Sequence, residues 1–260
     1  ILDSPFPPNA DTPEAETLSF LWSFERLVAE CAADAYCAET YPDLEDTLLD
    51  VVVSYNEDPG EITGDDIVVG IGQAFADTSA IGLIPWTIYE LRAGNEDALF
   101  ELTGQEWSRR FQSDDVTDSE GMYNSVICAD EYTTGDFERI EAAVVGEIPP
   151  ELESALLQPV FELTNLCSYW HPRVSVDDSP VVSDIPALVL VGGYDTATPP
   201  LWGELTVQTL SNGYLVEIPG SGHNVLNEAC PIEIATQFLD DPFTRPDTAC
   251  LASIDWPYFE

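Results

Sequence analysis

The chain has 260 residues, with 49 acidic side chains against 7 basic ones and a net charge of −42. That length allows one large domain or two small ones, and the apolar content suffices for a sizeable core. The charge excludes nucleic acid and anionic lipid surfaces as partners, because both would be repelled.

The acids are interleaved with apolar residues along the chain and do not gather in a tail. They read as a solvated acidic surface suited to high salt, with an acidic binding face as the alternative. No run of about 20 apolar residues exists, so no membrane span is expected. No internal repeat or low-complexity tract is visible.

Taken in chain order, "ILDSPFPP" at the start reads as a strand end running into a proline-rich loop. It has no Met, no charged leader and no long apolar stretch of a signal peptide. Leu18, Leu21, Trp22, Glu25 and Val28 give residues 15–33 near-helical spacing. Leu44, Leu48, Val51, Val52 and Tyr55 share one face of a helix over 43–55. Asp65 and Asp66 precede Ile67, Ile71 and Phe75, which suits an acid-capped helix start. "PWTIYELRAG" from Pro85 predicts a helix with proline in its first turn and Gly94 at its end. "NEDALFELT" predicts another, with Asn95 as cap. The first 160 residues are therefore mostly short helices.

The last 80 residues differ. "IPALVLVGG" is a continuous apolar run, as in a parallel strand buried on both faces. "PPLWGELTVQTLSNG" reads as a helix, "YLVEIPG" as a second strand and "NEACPIEIATQFLDDP" as a second helix. Strand–helix–strand–helix is the pattern of a doubly wound α/β sheet.

In such sheets, catalytic groups sit beyond the carboxyl ends of the strands. Asp195 follows the first strand there, and His223, in "PGSGHNV", follows the second. Adjacent parallel strands would bring them to one rim. A carboxylate beside an imidazole fixes its tautomer and stabilises the imidazolium formed when it takes a proton. Gly220 and Gly222 would let the loop turn tightly. Taken alone, a strand-end Asp is usually a helix cap and a loop His is usually solvated; their shared setting favours a catalytic pair.

Six cysteines make an even count, none in Cys-x-x-Cys spacing, and the chain has two histidines, so zinc is poorly supported. Three disulfides in an exported protein is the preferred reading, with free buried thiols as the alternative. No metal or cofactor is expected: "GIGQAF" matches a dinucleotide fingerprint only in its first letters and lies in a helical stretch.

Several segments together resemble the C-terminal part of the α/β-hydrolase fold. They are "VLVGGYDTATPPLW", "SNGYLVEIPGSGHNV", "ILDSPFPP", "CAADAYCAETYPDL", "SVICADE", "CSYW" and the last two cysteines. More narrowly, they resemble secreted tripeptidyl-aminopeptidase-like and prolyl-aminopeptidase-like serine hydrolases. The resemblance implies a partial α/β-hydrolase fold: strands six to eight of a mostly parallel sheet, from residues 1–10 and 181–260, with a large helical cap from 11–180. It implies Asp195 as triad acid and His223 as general base. It also implies the pairings Cys31–Cys37, Cys128–Cys167 and Cys230–Cys250, each stabilising by roughly 2–4 kcal/mol.

The fold also needs a nucleophile in Gly-x-Ser-x-Gly on a sharp strand–helix turn. No serine fits. Ser221, in "PGSGH", is one residue too tight and belongs to the histidine loop; Ser79, in "DTSAIG", lacks the preceding glycine and lies in a helical stretch. The expectation is that the nucleophile and strands one to five precede Ile1, in a longer protein or on a partner chain that supplies the N-terminal half.

The implied substrates are peptides with a free N-terminus, or small esters. In "CADEY", Asp130 and Glu131 are the candidates to hold a substrate ammonium, against the plainer reading of two solvated acids. His171 in "SYWHP" reads as structural or solvated. Trp86, Trp107, Trp170 and Trp202 read as cap core or cleft lining. A binding protein that keeps the cap and lacks the nucleophile is the non-enzymatic alternative.

Overall fold

A computed structural model describes residues 1–10, 12–104, 119–130, 137–170, 177–254 and 257–259. Among the described residues, one sheet forms from three parallel strands in the order β1 (Leu2–Asp3), β2 (Ala187–Gly192), β3 (Gly213–Ile218). Leu2 pairs with Val189, and Ala187–Gly192 pairs residue by residue with Gly213–Ile218.

Between β1 and β2 in the chain lie helices α1 (Thr12–Ala33), α2 (Ala35–Thr40), α3 (Leu44–Glu57), α4 (Gly64–Ala74), α5 (Ile84–Arg92), α6 (Asp97–Thr103), α7 (Glu120–Asp130), α8 (Phe137–Val144) and α9 (Glu153–Tyr169). Helix α10 (Pro200–Val207) joins β2 to β3, and α11 (Ala229–Asp240) follows β3.

β2 is a continuous apolar run because it is covered twice. Leu188 and Leu190 meet Val216, Ile218, Ile234 and Phe238 under α11, while Val189 and Val191 face Gly203 of α10. Trp202 of α10 is buried and stacks on Phe6, with ring centroids 4.5 Å apart, so the proline-rich loop after β1 is fastened to the same helix. This places Trp202 under the sheet, away from the cap core and cleft. Trp86 packs against the cap core, and Trp170 is partly exposed. Trp107 and His171 lie outside the described residues.

The helices between the strands share one core. Phe20, Phe24 and Leu27 of α1 meet Leu48 and Val52 of α3, Ile67 and Ile71 of α4, and Ile88 and Leu91 of α5. These are the positions that helical periodicity puts on one face. Truncating a fully buried member such as Ile67 to Ala would cost about 2–5 kcal/mol. Tyr194, two residues past β2, inserts into this same cluster and stacks on Phe75 at 5.7 Å. Cap and sheet are therefore joined at the residue next to Asp195.

Disulfides link Cys31–Cys37, Cys128–Cys167 and Cys230–Cys250, the pairings that the resemblance implies, and no free cysteine remains among the described residues. No described helix is long and apolar enough to cross a membrane.

Several local expectations are corrected. The N-cap residue of α4 is Thr63, whose hydroxyl accepts from the Asp66 N–H while the Asp66 carboxylate accepts from the Thr63 N–H, so the acid in the first turn shares the cap with a hydroxyl. Asn95 does not cap α6, whose N-cap is Glu96; its amide donates to Glu90 instead. Ser79 lies in a turn, not a helix. The helix from Pro200 stops at Val207, short of the Asn-Gly turn.

Candidate active site

Beyond Gly192 the chain leaves the sheet rim through Gly193 and Tyr194 to Asp195, whose side chain is fully buried. A buried carboxylate is costly unless its oxygens are satisfied, and here every lone-pair direction is used. Oδ1 accepts from the Ala197 and Thr198 amides at 2.9 and 2.8 Å. Oδ2 accepts from the Thr198 hydroxyl at 2.8 Å and lies 2.9 Å from Nδ1 of His223. Thr198 Oγ1 is also 3.2 Å from that nitrogen, so the threonine braces both partners.

His223 follows β3. Its side chain is 30% exposed, and its ring borders a cavity of about 710 Å³ that Ala76, Asp77, Ser79, Glu228 and Tyr258 also line. Among the described residues nothing hydrogen-bonds its Nε2, so that nitrogen is available to a group entering the cavity. The glycines before it are required. Gly220 has φ +73°, and a Cβ on Gly222 would come within 2.6 Å of the backbone of Phe75 and Ala76. That closeness lets the His223 amide donate to the Ala76 carbonyl at 2.9 Å.

Three serines near the pair have their hydroxyls engaged elsewhere. Ser221 is buried and donates to Glu228 at 2.8 Å. Ser79 donates to Asp77 at 2.7 Å. Ser4, with φ +51°, accepts from the Asn224 amide at 3.1 Å.

Sequence reasoning did not single out Asp3, Ser4 or Thr198. Asp3 sits at the end of β1 and accepts from the Val225 and Leu226 amides at 3.0 and 3.1 Å, two and three residues after His223. Asn224 between them is left-handed, with φ +62°. Strain of this kind persists only where neighbours over-determine it. The Asp-Thr-Ala-Thr spacing could have pointed to Thr198 as an Asx-type partner of Asp195; nothing local marks Asp3.

Asp130 closes α7, with its side chain outside the described residues, as is Glu131 altogether. Among the described residues no group of three or more His, Cys, Asp or Glu could hold a metal ion.

The parallel strands, the crossover helices and the strand-end Asp and His make up a partial α/β-hydrolase fold with a helical cap. Residues 156–250, from within α9 to the last cysteine, match the model of the family described as TAP-like protein. No curated protein matches the chain.

Proposed function

We propose that this chain is the cap and the acid–base part of a serine hydrolase that acts as an exopeptidase, releasing residues or short peptides from free N-termini. Asp195 is the triad acid and His223 the general base. The nucleophilic serine comes from a segment preceding Ile1, so the chain alone is inactive. Residues 1–10 and 181–260 belong to the catalytic core, residues 11–180 form the cap, and the protein is secreted or held at the cell surface. Its disulfides suit an oxidising compartment.

The observation that carries the reading is the 2.9 Å contact between Asp195 Oδ2 and His223 Nδ1, with the carboxylate buried and otherwise saturated. An Nδ1–H donated to Asp195 leaves the Nε2 lone pair facing the cavity. That nitrogen takes the serine proton as the hydroxyl attacks a substrate carbonyl, then returns it to the leaving amine. Water repeats the sequence to release the acyl group. The engaged hydroxyls of Ser4, Ser79 and Ser221 support a nucleophile from elsewhere. Asp130 and Glu131 supply the carboxylates for the substrate ammonium.

A fluorophosphonate probe tests this on the full-length protein. Labelling is expected, and His223→Ala should abolish it; an unlabelled wild type removes the serine-hydrolase reading and favours a binding protein. Glu131→Gln should raise KM for a free-amine peptide and leave that for a small ester unchanged. Equal effects would leave the ester hydrolase as the better reading.

A further inference from the structure

Helix α1 carries a polar stripe that its apolar core face does not explain. Ser19, Ser23, Arg26 and Glu30 are spaced four, three and four residues apart, so they lie along one side of the helix. Ser19 and Ser23 are buried, where a hydroxyl in a helix is unfavourable unless it finds a partner.

Each finds one on the loop that holds Asp195. Ser19 Oγ shares its proton between the Thr196 carbonyl at 2.9 Å and the Glu16 carbonyl of its own helix at 2.8 Å, Ser23 Oγ donates to the Tyr194 carbonyl at 3.2 Å, and Arg26 Nη1 to the Gly193 carbonyl at 2.8 Å. Glu30 accepts from the Tyr194 hydroxyl at 2.6 Å. Arg26 also reaches Glu217 of β3 at 2.7 Å, and its guanidinium lies over the Tyr194 ring. Burial pulls the Arg26 pKa down, but Glu217 and Glu30 outweigh it, so the cation is held above its ordinary value.

We infer that α1 positions the acid: Ser19, Ser23 and Arg26 grip the backbone on both sides of Asp195 and hold its carboxylate against His223. The inference rests on the proposed acid–base roles of that pair. General stabilisation would let these donors end anywhere on the sheet. Instead each of the three has a carbonyl acceptor within residues 193–196, and the residue those carbonyls bracket is the buried carboxylate. Although α1 lies in the cap, it belongs mechanically to the catalytic rim, and it cannot swing away without displacing Asp195.

The test uses the full-length protein, 4-nitrophenyl acetate as substrate, and the downfield proton resonance of the His223 Nδ1–H. The variants are Ser19→Ala/Ser23→Ala and Arg26→Met. Both should lower kcat by roughly ten- to a hundredfold at little-changed KM, as misplacement of a reacting group does. Both should also broaden the Nδ1–H signal through exchange. Arg26→Lys, which keeps a donor for the Gly193 carbonyl, should recover most of both. Arg92→Met removes a cation that lies over Tyr89 and should change neither.

The serine double variant removes only two hydroxyls and keeps the test valid if Arg26→Met does not fold. Normal kcat and resonance in that variant, while Asp195→Asn abolishes both, overturns the positioning role alone. An Asp195→Asn protein with normal kcat and resonance overturns the acid–base reading and this inference with it.

Discussion

The carboxylate of Asp3 caps the loop carrying His223, accepting from the Val225 amide at 3.0 Å and, through its other oxygen, from the Leu226 amide at 3.1 Å. It does so from the end of the first strand, so the sheet edge and the histidine loop are one unit. The neighbouring Ser4 adds the bond to Asn224 and donates to Asp3 at 3.3 Å.

Asp3→Asn should therefore destabilise the protein. The amide can keep one oxygen acceptor, but its NH₂ group must then face a backbone N–H that it cannot bond. Hydrogen bonds to charged groups contribute about 1.5–3 kcal/mol, and a loss of that size is expected in a denaturant titration. Asp3→Ala should cost at least as much. An unchanged midpoint would mean that the loop is held by the sheet alone.

Asp195→Asn separates the electrostatic role from the structural one. Its side-chain nitrogen must face either the Ala197 and Thr198 amides or His223. The first choice opposes two donors, so the second is expected. The amide then donates to Nδ1 and forces the proton onto Nε2, where it blocks the general-base action proposed for His223. Activity of the full-length enzyme should fall by about 10⁴-fold, with folding little changed. ¹⁵N resonances of the ring report which nitrogen carries the proton.

The three disulfides should differ in worth according to the length of chain they close. Their sequence separations are 39 for Cys128–Cys167, 20 for Cys230–Cys250 and 6 for Cys31–Cys37. Loop entropy assigns about 4, about 3 and about 2 kcal/mol respectively. Paired Cys→Ser variants, compared by thermal unfolding, should follow that order. A reversed order would show that native packing around Cys31 and Cys37, both buried in the main cap core, outweighs loop length.

The elements that were legible in the sequence are those governed by local pattern. "ALVLVG" reads as a buried strand because both faces of β2 are covered, "YLVEI" reads as a second strand, and Pro85 and Pro200 mark helix starts because a first-turn N–H needs no partner. The supports of the site were illegible because they are tertiary. Asp3 is one carboxylate among 49, and only the sheet brings it to Val225. Ser19, Ser23 and Arg26 read as the polar side of an amphipathic helix, since nothing in residues 15–33 shows that the acid loop lies against them. Ser79 lies past the end of α4 at Ala74, in a turn where Asp77 accepts from both its hydroxyl and its amide, a side-chain bond that the apolar pattern does not show.

Tyr194 makes the joint between cap and sheet sensitive to alkali. Burial pushes its phenol well above the ordinary value, helped by the Glu30 carboxylate that accepts its hydrogen bond and opposed by Arg26. In the unfolded chain the same phenol ionises near pH 10. Below that pH both states hold the proton, and the contribution is fully present. Above it the unfolded state sheds a proton that the folded state keeps, so stability falls as pH rises. Tyr55 and Tyr123 are shifted upward by burial as well and add to the same slope. Tyr194→Phe should therefore reduce, without abolishing, the decline in unfolding free energy between about pH 9 and 11. It should also cost stability at pH 7 by loss of the bond to Glu30, about 1.5–3 kcal/mol. Equal slopes for wild type and variant would mean that the phenol ionises in the folded protein at its ordinary pH and that the Glu30 bond does not hold it.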